Sequence, residues 1–185
     1  MVRRALSLSL RPAPEVPIAS SWPAQWPRSP EGRQQRAAEA ERLLLARVSR
    51  DVDVKDVVID SCSTLGAQTI ATLDVSGPPS ATPCVLAHGF GSGKATYYRN
   101  VDSLAGAGGG RRVLALDWLG MGRSARPRFE AVAPFPTEAA RDAAVARGVD
   151  WFTKSFDAWV DACVPGRKVD IVAHSMGAYF ATHYA

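Results

Sequence analysis

With 185 residues the chain is long enough for one domain with a buried core, and its 46% hydrophobic and 22% charged residues are those of a globular protein. No apolar run approaches the roughly 18 residues that a membrane span needs. The net charge of +4 sits in residues 1–50, with nine Arg against four Glu, while residues 51–185 hold 13 Lys or Arg against 14 Asp or Glu. The domain itself is therefore close to neutral, which speaks against a nucleic-acid partner.

Residues 1–30 hold six of the 13 prolines and little periodicity, which predicts extended or disordered chain. The opening MVRRALSLSLRPAP has three Arg, two Ser and no acid, and reads either as a weak organelle-targeting peptide or as a short disordered tail. Trp22 and Trp26, four apart in SWPAQWP, suit a membrane–water interface or a docking contact on the domain. Ser29-Pro30 reads as an N-cap and first-turn proline opening a helix to about Val48. A basic Pro/Trp-containing segment with one helix thus occupies 1–50, and the domain proper begins at 51.

Residues 55–60 and 67–75 predict an antiparallel strand pair. From Pro83 the pattern alternates: strand PCVLA, helix TYYRNVDSL, strand RVLAL, helix FTKSFDAWVDAC from Phe152, and buried strand KVDIVA. This order implies an α/β fold with a parallel sheet covered by helices. Ala125 to about Asp150 reads as a long Pro-, Ala- and Arg-rich excursion. Cys62, Cys84 and Cys163 are odd in number without C-x-x-C spacing, as expected of reduced thiols in an intracellular protein.

Three chemical signals fall where successive parallel strands end, the usual place for a site in such a sheet. The first is His88-Gly89-Phe90-Gly91-Ser92-Gly93, whose glycines let backbone N–H groups approach a bound oxygen. A phosphate-binding reading fails at two positions of the P-loop pattern, since His88 replaces its first glycine and Ala95 follows Lys94. Nucleotide binding stays an outside alternative. The second is Asp117 in DWLGMGRS, read as a residue that caps and orients its loop while Gly120 and Gly122 turn it. The third is Ser175 in VDIVAHSMGAYF, with Ala173 two residues before and Gly177 two residues after. A strand that turns this sharply into a helix lifts the serine hydroxyl clear of the sheet and aims the helix N-terminus at whatever it attacks. This is the nucleophile elbow of α/β-hydrolases, in the form A-x-S-x-G. The N–H groups of Phe90 and Met176 would then form the oxyanion hole.

With these residues in view, the chain resembles the abhydrolase-domain four/five subfamily of α/β-hydrolases over roughly residues 20–185. The resemblance rests on the Trp22–Trp26 opening, HGFGSG, LDWLGMGRSARP, the Phe152–Trp159 segment and HSMGAYFATHYA. It implies a serine acyl hydrolase or acyltransferase on lipid esters, such as lysophospholipids, phospholipids or acylglycerols, with acyl-CoA as an acyl donor for the transferase. It also implies peripheral association with a lipid droplet or organelle membrane, mitochondrial or plastid targeting remaining open. No metal or organic cofactor is implied. One branch of the subfamily serves as a lipase co-activator and carries Asn at the nucleophile position, where this chain has Ser175. A non-catalytic lipid-surface co-activator of a partner lipase is the rival reading, and a general soluble carboxylesterase is the third.

The histidines do not complete the chemistry. His88 supports the oxyanion loop, His174 flanks the nucleophile, and His183 lies about 12 Å further along the same helix. In this fold the triad runs Ser, then Asp or Glu, then His. Both missing members, and the subfamily's H-x-x-x-x-D acyltransferase motif, are therefore expected beyond Ala185. The 185 residues are expected to be an inactive N-terminal part of the fold, aggregation-prone at the uncovered sheet edge.

Overall fold

The structure, a computed structural model, describes residues 29–60, 66–128 and 137–185. Helix α1 (Pro30–Leu45) starts where predicted: the Ser29 hydroxyl accepts the Gly32 N–H at 3.0 Å and Pro30 fills the first turn. Strands β1 (Asp53–Ile59) and β2 (Gln68–Val75) form the expected antiparallel pair. Next come β3 (Cys84–Ala87), a 3₁₀ segment (Lys94–Arg99), α2 (Val101–Gly106) and β4 (Val113–Leu116). The single helix predicted over TYYRNVDSL is thus divided, and its first turns take the tighter geometry common in short connectors.

Beyond β4 lie α3 (Glu138–Cys163), β5 (Asp170–Ala173) and α4 (Met176–Tyr184). Helix α3 corrects the sequence reading, which placed residues 138–150 in an irregular excursion. Thr137 caps the helix by accepting the Ala140 N–H at 3.1 Å, and the Ala-rich stretch that follows has high intrinsic helix propensity. The helix runs 26 residues without a break.

The five strands stand in the order β1-β2-β4-β3-β5, with β3 parallel to both β4 and β5 and β2 antiparallel to β4. Strand alternation divides the core in two. Val85, Ala87, Leu114 and Leu116 face α3 and α4, where they meet Trp118, Phe156, Trp159 and Phe180. Cys84, Leu86, Val113 and Ala115 face the opposite side, against Val101 and Ala105 of α2 and Leu45 at the end of α1. Strand β5 departs from its predicted burial: it is the edge strand among the described residues, and Val172 is 41% exposed. Its partner in register, Leu86, is fully covered, so the cover given by α2 does not extend as far as β5.

Phe152 stacks on Phe180 at 4.3 Å and Phe156 meets Tyr184 at 4.8 Å, so α3 and α4 run parallel. The first ten residues of α3 therefore extend about 15 Å past the start of α4. A groove of about 420 Å³ between these two helices is lined by Val145, Val149, Tyr179 and His183, among others.

Candidate active site

The site is assembled where β3, β4 and β5 end. Ser175 is exposed between β5 and α4 with φ 54° and ψ −122°, and among the described residues no other non-glycine has positive φ. Such a conformation is costly for a side chain with a Cβ and persists only where its surroundings impose it. They do so here. The His174 N–H donates to the Ala87 carbonyl at 3.1 Å, Gly177 N–H bonds back to His174 at 2.9 Å, and Tyr179 N–H bonds to Ser175 at 3.1 Å. A Cβ on Gly177 would lie 2.4 Å from the Ala87 oxygen and 2.6 Å from the His88 oxygen, so only glycine fits. The Met176 N–H opens the helix directly after the serine.

The facing loop follows β3. A Cβ on Gly89 would come within 3.1 Å of the Ser175 Cβ, which puts this backbone beside the nucleophile candidate. Phe90 is 82% exposed on the same loop, and Gly91 takes positive φ after it. His88 is buried, with Nδ1–H donating to the Gly89 carbonyl at 2.7 Å and Nε2 accepting the Trp118 N–H at 3.3 Å. These partners fix the neutral Nδ1–H tautomer. Burial holds the ring below its ordinary pKa of 6.5, outweighing the Gly89 bond and the nearby Asp117 charge. The 3.8 Å approach of Nε2 to Asp117 is therefore not an ion pair. The Trp118 indole N–H donates to the His88 carbonyl at 2.9 Å, tying the loop to the aromatic cluster.

Asp117 is held by three hydrogen bonds from the loops around it. Its Oδ1 accepts the Lys94 N–H at 2.7 Å, and its Oδ2 accepts the Arg123 N–H at 2.9 Å and Lys94 Nζ at 3.1 Å. A Cβ on Gly122 would collide with this carboxylate at 2.2 Å. Ser124, overlooked in the sequence, pins the same loop: its hydroxyl donates to the Asp117 carbonyl at 2.6 Å and accepts the Ala71 N–H at 2.9 Å. Lys94, considered in the sequence only as part of a failed P-loop, is fully buried.

His174 is exposed beside Ser175, while His183 packs edge-on to Tyr179 at 4.7 Å, two turns along α4. Cys84 and Cys163 are free thiols; burial raises both, Cys163 to about 11, so neither is an activated nucleophile. Cys62, Trp22 and Trp26 lie outside the described residues. Among the described residues no group of His, Cys, Asp and Glu is placed to hold a metal, and no helix is long and apolar enough to cross a membrane.

A mixed sheet in this order, with a strained serine between its fifth strand and the next helix, is the arrangement of an α/β-hydrolase fold. Residues 84–185 match the Alpha/beta hydrolase family, and the chain belongs to it. Among curated proteins it is 34% identical over 116 residues to a probable 1-acylglycerol-3-phosphate O-acyltransferase of Oryza sativa subsp. japonica, covering 63% of this chain and 24% of that protein. It is 36% identical over 106 residues to the (lyso)-N-acylphosphatidylethanolamine lipase of Homo sapiens, covering 56% and 26%. The chain thus spans about a quarter of the length of the curated relatives it matches. Among solved structures, carboxylesterase CesB of Bacillus subtilis superposes with a TM-score of 0.55 at 18% identity, covering 82% of this chain and 44% of that one. A bacterial membrane phospholipase A superposes at 0.54 and 23%, covering 84% and 40%. At these identities the structural likeness shows the fold.

Proposed function

We propose that Ser175 is the nucleophile of an acyl-transfer reaction on lipid esters, carried out by the whole protein of which these residues hold the nucleophile half of the site. The observation that carries this is the strained backbone of Ser175, held by Gly177 against the Ala87 and His88 carbonyls. The relatives' names supply the substrate class: a lysophosphatidic acid or an N-acyl phospholipid.

In this reading the Ser175 Oγ attacks the ester carbonyl carbon while its proton passes to a histidine base. The carbonyl oxygen takes up negative charge and is met by the N–H groups of Phe90 and Met176. The C–O bond to the alcohol then breaks, the alcohol leaves with the proton, and an acyl-serine remains. Water, or a lysolipid hydroxyl, attacks it and restores Ser175. His88 is neutral with both ring nitrogens engaged, and His183 is two turns away. In this reading the base and its acid are supplied by the rest of the whole protein. The exposed Phe90 ring at the lip of the site suits an apolar acyl chain. Peripheral binding to a lipid droplet or organelle membrane, aided by Trp22 and Trp26, completes the reading.

The test is covalent capture by a fluorophosphonate, with the labelled peptide identified by mass spectrometry, followed by assays on lysophosphatidic acid with acyl-CoA and on N-acyl phosphatidylethanolamine. We expect label on Ser175 that is absent in Ser175→Ala. A chain that takes no label even when joined to the remaining half of the fold would instead be a co-activator of another lipase.

A further inference from the structure

We infer that Glu41, on a helix outside the stretch that matches the family, is a positioning residue for the oxyanion loop. The inference rests on the roles given above to Ser175 and Phe90.

The loop from His88 to Gly93 has glycine at positions 89, 91 and 93, so its own chain does little to hold Phe90 in place. It is fixed at its two ends. At the first, His88 is buried and bonded through its ring and carbonyl to Trp118. At the second, Lys94 is buried, with its side chain fully covered. Its backbone N–H is bound by Asp117, and its ammonium lies 3.1 Å from Asp117 Oδ2 and 2.7 Å from Glu41 Oε2. The other oxygen of Glu41 lies 3.3 Å from Arg123 Nη1, and the Arg123 N–H returns to Asp117. The four residues thus close a ring, through the main chain of Arg123, in which α1 supplies one carboxylate. A buried ammonium stripped of a partner is costly to keep covered. With Glu41 removed, the Lys94 ammonium keeps only its longer contact to Asp117 and is drawn toward solvent, and the backbone N–H of the same residue is the anchor of the loop.

Helix α1 makes Glu41 the critical member. It has no fully buried residue of its own, yet the Glu41 side chain is only 11% exposed because it reaches over the loop. A helix that merely covered the surface would have no reason to place a carboxylate there.

The test uses the whole protein, selectively ¹⁵N-labelled, with Glu41→Gln. Three quantities are read: the amide resonances of residues 89–94 and the Trp118 indole N–H, the urea midpoint, and the kinetics of fluorophosphonate capture separated into reversible binding and bond formation. We expect the loop and indole resonances to shift or broaden while the rest of the spectrum is retained. The bond-forming rate should fall about tenfold or more with reversible binding within about twofold. Glu41→Asp should show a smaller loss, and Glu39→Gln, on the same helix, should show no loss. In a Lys94→Met background, Glu41→Gln should add nothing. The inference is overturned if the Glu41→Gln loop resonances superpose on the wild type. Changes spread evenly over the domain in step with a lower urea midpoint would overturn it as well. Should the wild-type chain take no label, it is the nucleophile reading that is in question, and the resonances alone decide the role of Glu41.

Discussion

At the scale of single residues, the backbone of Ser175 carries the most information. A residue with a Cβ at φ 54° and ψ −122° stores strain of order 1–3 kcal/mol, which the contacts of Ala87, His88 and Gly177 impose. Replacing it with glycine removes that strain and, against a gain in unfolded-chain freedom, leaves a net stabilisation of about 1 kcal/mol. Thermal unfolding should therefore place Ser175→Gly roughly 2–4 °C above the native chain, with Ser175→Ala, which keeps the Cβ, close to the native value. Equal midpoints for the Gly and Ala variants would show that the turn is relaxed. The elbow was legible in the sequence because its requirement is local: small residues two positions to either side, a β-branched strand before, a helix after. The His88 tautomer was not, since its Nε2 partner, the Trp118 N–H, arrives from the loop after β4, 30 residues away.

At the scale of elements, strands are joined by charges as well as by ladders. Asp74, near the end of β2, accepts Arg112 Nε at 2.9 Å and Nη2 at 2.7 Å, and Lys55 Nζ from β1 at 2.7 Å. Arg112 also donates to the Cys163 carbonyl at 2.8 Å, which binds the C-terminus of α3 to the sheet. Burial pushes the Asp74 carboxyl up, but the Arg112 and Lys55 hydrogen bonds and charges more than reverse this and hold it below its ordinary 3.8. A carboxylate lowered on folding adds stability that is fully present above its unfolded pKa and lost as pH falls below about 4. Both cations are partly exposed, so the cluster is discounted for solvent, and Asp74→Asn should cost about 1–2 kcal/mol at pH 7. In urea titrations that deficit should shrink as pH drops from 5 towards 3. A deficit that stays constant over this range would assign the loss to packing. Within the excursion expected up to about Asp150, residues 138–150 were misread for a related reason: the Pro- and Ala-rich composition suggested a loop, and the register of α3 against α4 is set by aromatic contacts with residues far along the chain.

At the scale of the molecule, both faces of the sheet are covered over β2, β3 and β4, and the cover thins at β5. Val172 is 41% exposed, and among the described residues β5 has a strand partner on one side. An apolar edge of this kind offers unpaired backbone groups to another chain. The 185 residues should therefore associate with rising concentration. Val172→Lys should suppress light scattering at equal concentration while preserving the circular dichroism spectrum. Unchanged scattering in this variant would move the source of association elsewhere.

The sequence by itself determined whatever depends on neighbours in the chain. It set the order of strands and helices, the cap of α1, the glycine-rich loop after β3, and the serine turn that places this chain in its family. Tertiary structure alone decided which distant charges meet. Glu41 and Lys94 are 53 residues apart, and nothing in either local pattern announces that a lysine will be buried between two carboxylates. Local geometry is written in side-chain volume and backbone preference over a few residues. The pairing of charges is settled only when packing removes water and requires each buried charge to find a partner.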